Sequence, residues 1–136
     1  MRKRKHTILC LDDEKSILIS LRSQLIRNFG TQFRYEFAES GEEALELVDE
    51  VCEYGSEILV IVSDWQMPEM KGDEFLIRVH QKHPNIIKIM LTGQVRISAI
   101  ERAKSEANLF LCLDKPWKEN EFIEAIQNGI KLRLAS

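Results

Sequence analysis

Acidic, hydroxyl and ammonium side chains follow four separate apolar runs of this chain, each near the point where the run ends. Asp12 and Asp13 follow the first run, Asp64 the second, Thr92 the third and Lys115 the fourth. Apolar runs of this length are typical of buried β-strands, and the carboxyl ends of parallel strands meet at one edge of a sheet. We therefore expect these five side chains to share one crevice at that edge.

The acidic part of this crevice is typical of a divalent-cation site. Three carboxylates held close together repel one another, and a hard cation relieves the repulsion. Mg²⁺ suits two or three carboxylates, one main-chain carbonyl and several retained waters. We predict Asp12, Asp13 and Asp64 as its acidic ligands, with the carbonyl of Gln66 as a further ligand. Two charges from Mg²⁺ and one from Lys115 then balance the three carboxylates.

A carboxylate neutralised in this way can act as a nucleophile toward phosphorus. The cation and Lys115 can both hold the oxygens of a phosphoryl group at Asp64, and Thr92 adds a hydroxyl donor. A single aspartate after a strand more often caps a helix or forms a turn. The joint placement of all these residues favours phosphoryl chemistry over that simpler interpretation.

Five rounds of an apolar run followed by an amphipathic stretch indicate βαβ units and a parallel sheet. We predict strands over residues 8–11, 33–37, 58–63, 86–91 and 109–113. We predict helices from Glu14 to Phe29, from Ser40 to about Tyr54, after the loop that ends at Gly72, from Val95 to Ala107 and from Glu121 to Leu134. The third strand lacks alternation and is placed at the centre of the sheet, whereas the alternating second strand belongs near an edge.

Size and composition favour one domain. The 136 residues are 44% apolar with a net charge of −3, and we assign residues 7–136 to the domain and the basic residues 1–6 to a tail. No apolar run reaches the ~18 residues of a membrane-spanning helix, and the run after the basic start is too short for a secretory signal. Cys10, Cys52 and Cys112 match no metal-ligand spacing. We therefore expect a cytoplasmic protein without membrane or nucleic-acid partners.

Four segments of the chain together resemble a known family, the receiver domains of two-component response regulators, which are related to the chemotaxis receiver. The segments are LDDE at 11–14, SDWQMPEMKG at 63–72, LTG at 91–93 and DKPW at 114–117. Each segment alone is weak evidence, whereas four in the family's order and approximate spacing are specific. The resemblance covers nearly the whole chain.

This resemblance implies a fold and a role for each site residue. The implied fold is a doubly wound (βα)5 flavodoxin-like sandwich with strand order 2-1-3-4-5. By the same resemblance, Asp64 accepts a phosphoryl group from a histidine kinase or a histidine phosphotransfer protein, and Asp12 and Asp13 hold Mg²⁺. Thr92 is the implied switch hydroxyl, and Lys115 pairs with the phosphoryl group and is followed by a cis peptide bond.

The implied output is a change of surface rather than turnover of a substrate. Phosphorylation draws Thr92 inward and shifts the surface formed by strand four, helix four, strand five and helix five. That surface controls a downstream protein or a fused output domain, and it can also form a phosphorylation-dependent homodimer. The resemblance implies no enzyme activity beyond slow self-dephosphorylation.

Two features depart from the family pattern. Cys112 stands where many receivers have an aromatic residue that moves with the switch threonine. Phe110 is a candidate substitute because side chains two apart on a strand share a face, and an equally strong alternative is that Cys112 only fills space. Gln66 and Gln94 lie where amides can orient or obstruct attacking water, and we hypothesise that they set the lifetime of the phosphorylated state.

Two other functions stay open at this point. A Mg²⁺-dependent phosphatase or phosphotransferase also uses an aspartate at a strand end, but typically with a second acid two residues later, where this chain has Gln66. A degenerate receiver would bind partners without phosphorylation, but the five expected site residues are all present. The cognate kinase is open too, as is the choice between a stand-alone regulator and the receiver of a longer protein.

Overall fold

Apolar runs and amphipathic stretches alternate along the chain and fold into strands and helices in the same alternation. The computed structural model describes residues 6–93 and 97–135, and within them five strands alternate with five helices. The strands are β1 (Thr7–Leu11), β2 (Arg34–Ala38), β3 (Ile58–Asp64), β4 (Ile87–Thr92) and β5 (Leu111–Asp114). The helices are α1 (Lys15–Phe29), α2 (Gly41–Glu53), α3 (Gly72–Lys82), α4 (Ile97–Ala107) and α5 (Glu119–Ala135).

The strands form one parallel sheet in the order β2-β1-β3-β4-β5. β3 lies at the centre with all seven residues buried, as its unbroken apolar run predicts. β2 lies at an edge, where only Ala38 is buried. The predicted doubly wound (βα)5 fold with strand order 2-1-3-4-5 is confirmed.

Helices cover both faces of the sheet, and each face has its own apolar cluster. On one face, α2, α3 and α4 contribute residues such as Val48, Phe75 and Ala103. On the other face, α1 and α5 contribute residues such as Leu21 and Phe122. Phe75 and Phe122 are fully buried, and burying a side chain of this kind contributes about 1.5–3 kcal/mol. Close packing on both faces fixes the strand ends relative to one another.

Ser40 begins helix α2, as the capping-box spacing predicts. Its Oγ accepts a hydrogen bond from the main-chain N–H of Glu43 at 3.1 Å. The Glu43 carboxylate in turn accepts from the main-chain N–H of Glu39 at 3.3 Å. These two bonds fix the start of α2 directly after β2.

Some element boundaries differ from the predicted ones. β2 begins one residue later, at Arg34, and β5 begins at Leu111 rather than at residue 109. Phe110 still donates its N–H to the carbonyl of Lys88 at 2.8 Å, but the register with β4 starts only at Leu111. α5 begins two residues early, at Glu119, because acidic side chains in a first turn suit a helix N-terminus.

Three predictions fall wholly or largely on residues outside the described ranges. These are the basic tail at residues 1–6, the role of Gln94, and the start of the fourth helix at Val95, whereas α4 is described from Ile97. The domain boundary at residue 7 stays a prediction. Among residues 6–93 and 97–135, no helix combines the length and the apolar character needed to cross a membrane.

Candidate functional site

The ends of β1, β3, β4 and β5 carry the predicted site residues to one edge of the sheet. Asp64 ends β3, Thr92 ends β4, and Asp12 follows the last residue of β1. These three residues are buried, whereas Asp13 is exposed. Lys115 follows β5 directly, and its main-chain N–H donates to the carbonyl of Thr92 at 2.9 Å. The parallel register therefore assembles residues from distant parts of the chain.

The ammonium of Lys115 joins two of the buried carboxylates. Its Nζ lies 2.8 Å from Asp12 Oδ2 and 3.0 Å from Asp64 Oδ1. Charge-assisted hydrogen bonds of this length are strong, and they are stronger where the carboxylates are withdrawn from water. The structure thus places Lys115 against Asp64, as the sequence predicts. The peptide bond between Lys115 and Pro116 is cis, as the family resemblance implies.

Three carboxylates lie close enough to share one cation. Oxygen atoms of Asp12, Asp13 and Asp64, one from each residue, lie within 4.8 Å of one another. The three carboxylates carry three negative charges and the Lys115 ammonium one positive charge. The remaining two negative charges equal the charge of one divalent cation in magnitude. The oxygen donors and the charge deficit therefore fit Mg²⁺. The carbonyl of Gln66 as a further ligand stays a prediction.

Burial and neighbouring charges act against each other at Asp64 and Lys115. Burial raises the pKa of the Asp64 carboxyl above its usual range, although hydrogen bonds from Lys115 and from the main-chain N–H of Gln66 oppose the rise. At Lys115, burial lowers the pKa, but the hydrogen bonds to Asp12 and Asp64 outweigh burial and leave the pKa raised. Lys115 is therefore protonated at neutral pH, and a cation beside Asp64 would favour its ionised form.

Asp12 forms a turn and also contributes to the site. Its Oδ1 accepts a hydrogen bond at 2.9 Å from the main-chain N–H of Glu14, the residue that precedes the first turn of α1. Its Oδ2 accepts from Lys115. The turn-forming interpretation and the site interpretation therefore hold together, because the start of α1 orients the carboxylate toward the ammonium.

Gly72 allows α3 to begin directly against the end of β3. A Cβ atom at this position would lie 2.2 Å from the carbonyl oxygen of Asp64 and 2.8 Å from Trp65 Cα. The main-chain N–H of Gly72 donates to the carbonyl of Trp65 at 2.9 Å. In the sequence, Gly72 is visible only as the glycine between a loop and a predicted helix. A glycine at such a position is the one sequence signal of this close approach.

Sequence reasoning missed two residues that link the tryptophan next to Asp64 to helix α4. The indole N–H of Trp65 donates to Asp73 Oδ1 at 3.1 Å, and Arg102 donates to Asp73 Oδ2 at 3.3 Å. Asp73 lies on α3 and Arg102 on α4. Only the packing of α3 against α4 brings them together, and neither residue belongs to a motif.

The expectation that Phe110 shares a face with Cys112 is wrong. Cys112 packs against the apolar cluster under α2, α3 and α4, whereas Phe110 packs with the cluster under α1 and α5. β5 begins only at Leu111, so the alternation of strand residues does not extend back to Phe110. Phe110 therefore does not replace an aromatic side chain at the position of Cys112. Gln94 lies outside the described residues.

Comparison with known proteins gives the family of the chain. Residues 8–127 match the model of the response regulator receiver domain, and the chain belongs to that family. It is 28% identical over 131 residues to the hydrogenase transcriptional regulatory protein HoxA of Cupriavidus necator, and 31% identical over 125 residues to the transcriptional regulatory protein FixJ of Rhizobium meliloti. Receiver domains are signalling modules that bind Mg²⁺ at an acidic pocket and interact with histidine kinases and output domains.

This chain spans only part of the length of HoxA and FixJ. The two matches cover 96% and 91% of this chain, and 25% of HoxA and 56% of FixJ. Among solved structures, the signal receiver domain of an HD domain-containing protein from Pseudomonas fluorescens superimposes with a TM-score of 0.86 at 27% identity. That match covers 98% of this chain and 100% of the other.

Proposed function

We propose that the chain is a phosphorylation-controlled switch whose Asp64 accepts a phosphoryl group from a histidine kinase or a histidine phosphotransfer protein. The observation that carries this proposal is the Lys115 ammonium, which bridges Asp12 and Asp64 beside a third carboxylate, that of Asp13. This arrangement combines a nucleophile, a fixed cation and a charge deficit that one divalent ion would fill.

In the proposed reaction, a carboxylate oxygen of Asp64 attacks phosphorus, and the bond from phosphorus to the imidazole nitrogen of the donor histidine breaks. The electron pair of that bond stays on the imidazole, and an acyl phosphate forms at Asp64. Mg²⁺ held by Asp12, Asp13, Asp64 and the Gln66 carbonyl would neutralise charge on the phosphoryl oxygens. Lys115 would hold another of those oxygens, since its ammonium already lies 3.0 Å from Asp64.

The proposed response is a shift of the surface formed by α4, β5 and α5. Thr92, buried at the end of β4, would donate its hydroxyl to the phosphoryl group. Ile97 on α4 and Leu111 on β5 are exposed apolar residues of this surface, and such residues suit protein contacts. The partner would be a downstream protein, a fused output domain or a second copy of the chain, with neither nucleic acid nor membrane bound by this domain.

The relatives and the cysteines support a longer protein with an output module and a cytoplasmic location. HoxA and FixJ are named as transcriptional regulatory proteins and are longer than this chain, which accords with an output module in a longer protein. Cys10, Cys52 and Cys112 are free thiols, which accords with the cytoplasmic location that the sequence predicts. A true Mg²⁺-dependent phosphatase is disfavoured because Gln66 offers no carboxylate, and a degenerate receiver is disfavoured because the acidic site is complete.

Intact mass after treatment with acetyl phosphate tests the proposal. Wild type should gain a single phosphoryl adduct only when Mg²⁺ is present, and Asp64→Asn should gain none. Asp114→Asn is the matched control, because Asp114 is exposed beside Lys115 and is not assigned to the site. This control should gain the adduct as wild type does.

Two results would contradict the proposal. Folded wild-type protein without any adduct would indicate a degenerate receiver, and an adduct that persists in Asp64→Asn would place the acceptor elsewhere. Release of phosphate over many turnovers would instead support the phosphatase alternative. The dephosphorylation rates of Gln66→Asn and Gln94→Ala test the lifetime hypothesis, which unchanged rates would remove.

A further inference from the structure

We infer that Asp73 is a positioning residue that ties helix α4 to the phosphoacceptor end of β3, through Trp65 on one side and Arg102 on the other. The link favours the position that α4 occupies before phosphorylation. This inference rests on the proposed function of Asp64 as the phosphoacceptor. It adds a contact that sets how readily the switch moves.

Trp65 is fixed to the site through its main chain. It follows Asp64 directly, and its N–H donates to the carbonyl of Leu91 on β4 at 3.0 Å. Its carbonyl accepts from Gly72 at the start of α3 at 2.9 Å. A displacement of the Trp65 indole would therefore strain the main-chain hydrogen bonds next to Asp64.

Asp73 uses its two carboxylate oxygens for two different elements. Oδ1 accepts from the Trp65 indole at 3.1 Å, and Oδ2 accepts from the Arg102 guanidinium at 3.3 Å. The Asp73 side chain is only 9% exposed, whereas that of Arg102 is 49% exposed. A buried carboxylate that loses a charged partner is costly, so these contacts constrain both neighbours.

The simpler role for Asp73 is that of a helix cap, because it lies in the first turn of α3. Negative charge is favourable at a helix N-terminus. However, the N-cap residue of α3 is Lys71, and the helix start shows no side-chain capping bond. Both oxygens of Asp73 are instead directed to Trp65 and Arg102, which is the observation that favours a link over a cap.

Helix α4 packs against the sheet mainly through small side chains. Its buried residues are Ala99, Ala103 and Ala107, and alanine buries little apolar surface. Ile100 adds a partly buried apolar contact to the same cluster. Arg102, which also pairs with Glu106 on α4 itself at 3.1 Å, adds a polar tie from α4 to Asp73 on α3. Breaking it should lower the free energy needed to displace α4, and a phosphoryl analogue that requires the displaced form should then bind more tightly.

The test measures beryllofluoride binding in the presence of Mg²⁺ by calorimetry. Asp73→Asn and Arg102→Gln should each tighten binding roughly three- to tenfold, and the double variant should match the single ones, because both remove the same link. Arg78→Gln is the matched control. It removes an exposed ion pair on α3, with Glu74 at 3.3 Å, and should bind as wild type does.

Urea unfolding of the same variants separates positioning from general stability. Arg102 is half exposed, so Arg102→Gln should fold even if Asp73→Asn does not. Arg102→Gln affinity equal to that of wild type, or affinity changes that simply add in the double variant, would overturn the inference.

A second readout keeps this inference separate from the proposed function. In the protein without beryllofluoride, Arg102→Gln should shift the NMR resonance of the Trp65 indole N–H and speed amide exchange in α4, and Arg78→Gln should do neither. If wild type binds no beryllofluoride, the proposed function fails while this readout still decides the link. An unshifted indole resonance in Arg102→Gln would overturn the inference alone.

Discussion

A buried lysine, Lys88, and a partly buried one, Lys115, show how partners decide the charge of a side chain. Lys115 lies between Asp12 and Asp64, and its hydrogen bonds to them outweigh burial and keep its pKa raised. Lys88 lies on β4, where its Nζ contacts the carbonyl of Ile86 at 2.8 Å and His80 Nδ1 at 2.9 Å. Burial lowers the pKa of Lys88 to about 8. One ammonium is part of the site, and the other destabilises the fold at neutral pH.

Removal of the site ammonium should make the fold dependent on added cation. In Lys115→Met, the buried carboxylates of Asp12 and Asp64 lose their partner, and the free energy of unfolding should fall by about 3 kcal/mol. Millimolar Mg²⁺ should restore much of this loss, because the acidic cluster then binds cation more tightly. Urea unfolding with and without Mg²⁺ measures both effects. Lys118→Met, at an exposed position, is the control, and a loss that Mg²⁺ leaves unchanged would argue against the proposed cation site.

Lys88 predicts a pH dependence of stability with a definite sign. Its pKa is about 8 in the fold against 10.5 for an unperturbed lysine, so the unfolded chain binds more protons between these values and stability rises with pH there. Lys88→Met should be more stable than wild type at pH 7, by an amount on the order of 3 kcal/mol. This difference should shrink as pH rises from about 8 to 10.5. Lys82→Met, at an exposed lysine, is the control for the substitution itself. A difference for Lys88→Met that stays constant with pH would contradict the lowered pKa of Lys88.

At the scale of elements, the junction of β3 and α3 sets the geometry of the site. β3 ends at Asp64 and α3 begins at Gly72, whose main chain contacts that of Trp65. The connecting loop turns sharply at Glu69, which has a φ of 67°. The loop therefore returns the chain to the strand it has just left, so that α3 starts against Asp64.

Gly72→Ala should strain this junction. The added Cβ would meet the carbonyl oxygen of Asp64 at 2.2 Å, and because that atom is main chain, either α3 or the end of β3 must move. We expect a loss of stability of about 2–3 kcal/mol, together with a lower rate of phosphorylation by acetyl phosphate. Gly93→Ala is the control for stability, since among the described residues its Cβ would meet nothing closer than Lys115 Cβ at 3.9 Å. Equal unfolding midpoints for the two variants would contradict this account.

The sequence predicts the elements and the site edge well because both depend on local patterns. Strand ends followed by Asp12, Asp64 and Thr92 are visible as apolar runs that stop at polar residues. The boundary of β5 was less visible, because Phe110 is apolar and bonds to β4 without joining its register. The apolar character of Phe110 therefore suggested a strand residue, although Phe110 lies before the start of β5.

Contacts between helices could not be predicted in the same way. Asp73 and Arg102 are charged residues on helices, where an exposed position is the ordinary expectation. Lys88 interrupts an apolar run, which gives a signal for a buried charge but none for its contact with His80. These pairings depend on how α3 packs against α4 and β4, and single-chain periodicity carries no information about that packing.

At the scale of the whole molecule, exposed apolar residues on different surfaces should behave differently when the chain is activated. Beryllofluoride with Mg²⁺ should promote a homodimer through the surface of α4, β5 and α5, measured by sedimentation velocity. Leu111→Glu should prevent this dimer, because Leu111 is exposed on β5. Ile19→Glu, at an exposed apolar position on α1, is the control and should dimerise as wild type does. Dimers that form equally in Leu111→Glu would place the interface elsewhere.

Burial decreases across the sheet from β3 at its centre to β5 at its edge. Every residue of β3 is buried between β1 and β4, whereas α4 rests on alanines and β5, at the edge, has one buried residue. Asp64 therefore ends the most buried strand of the sheet, whereas the surface of α4 and β5 is held by fewer and smaller buried side chains. Under the proposed function, substitutions on α4 and β5 would change the choice of partner and leave Asp12 beyond β1 and Asp64 on β3 undisturbed.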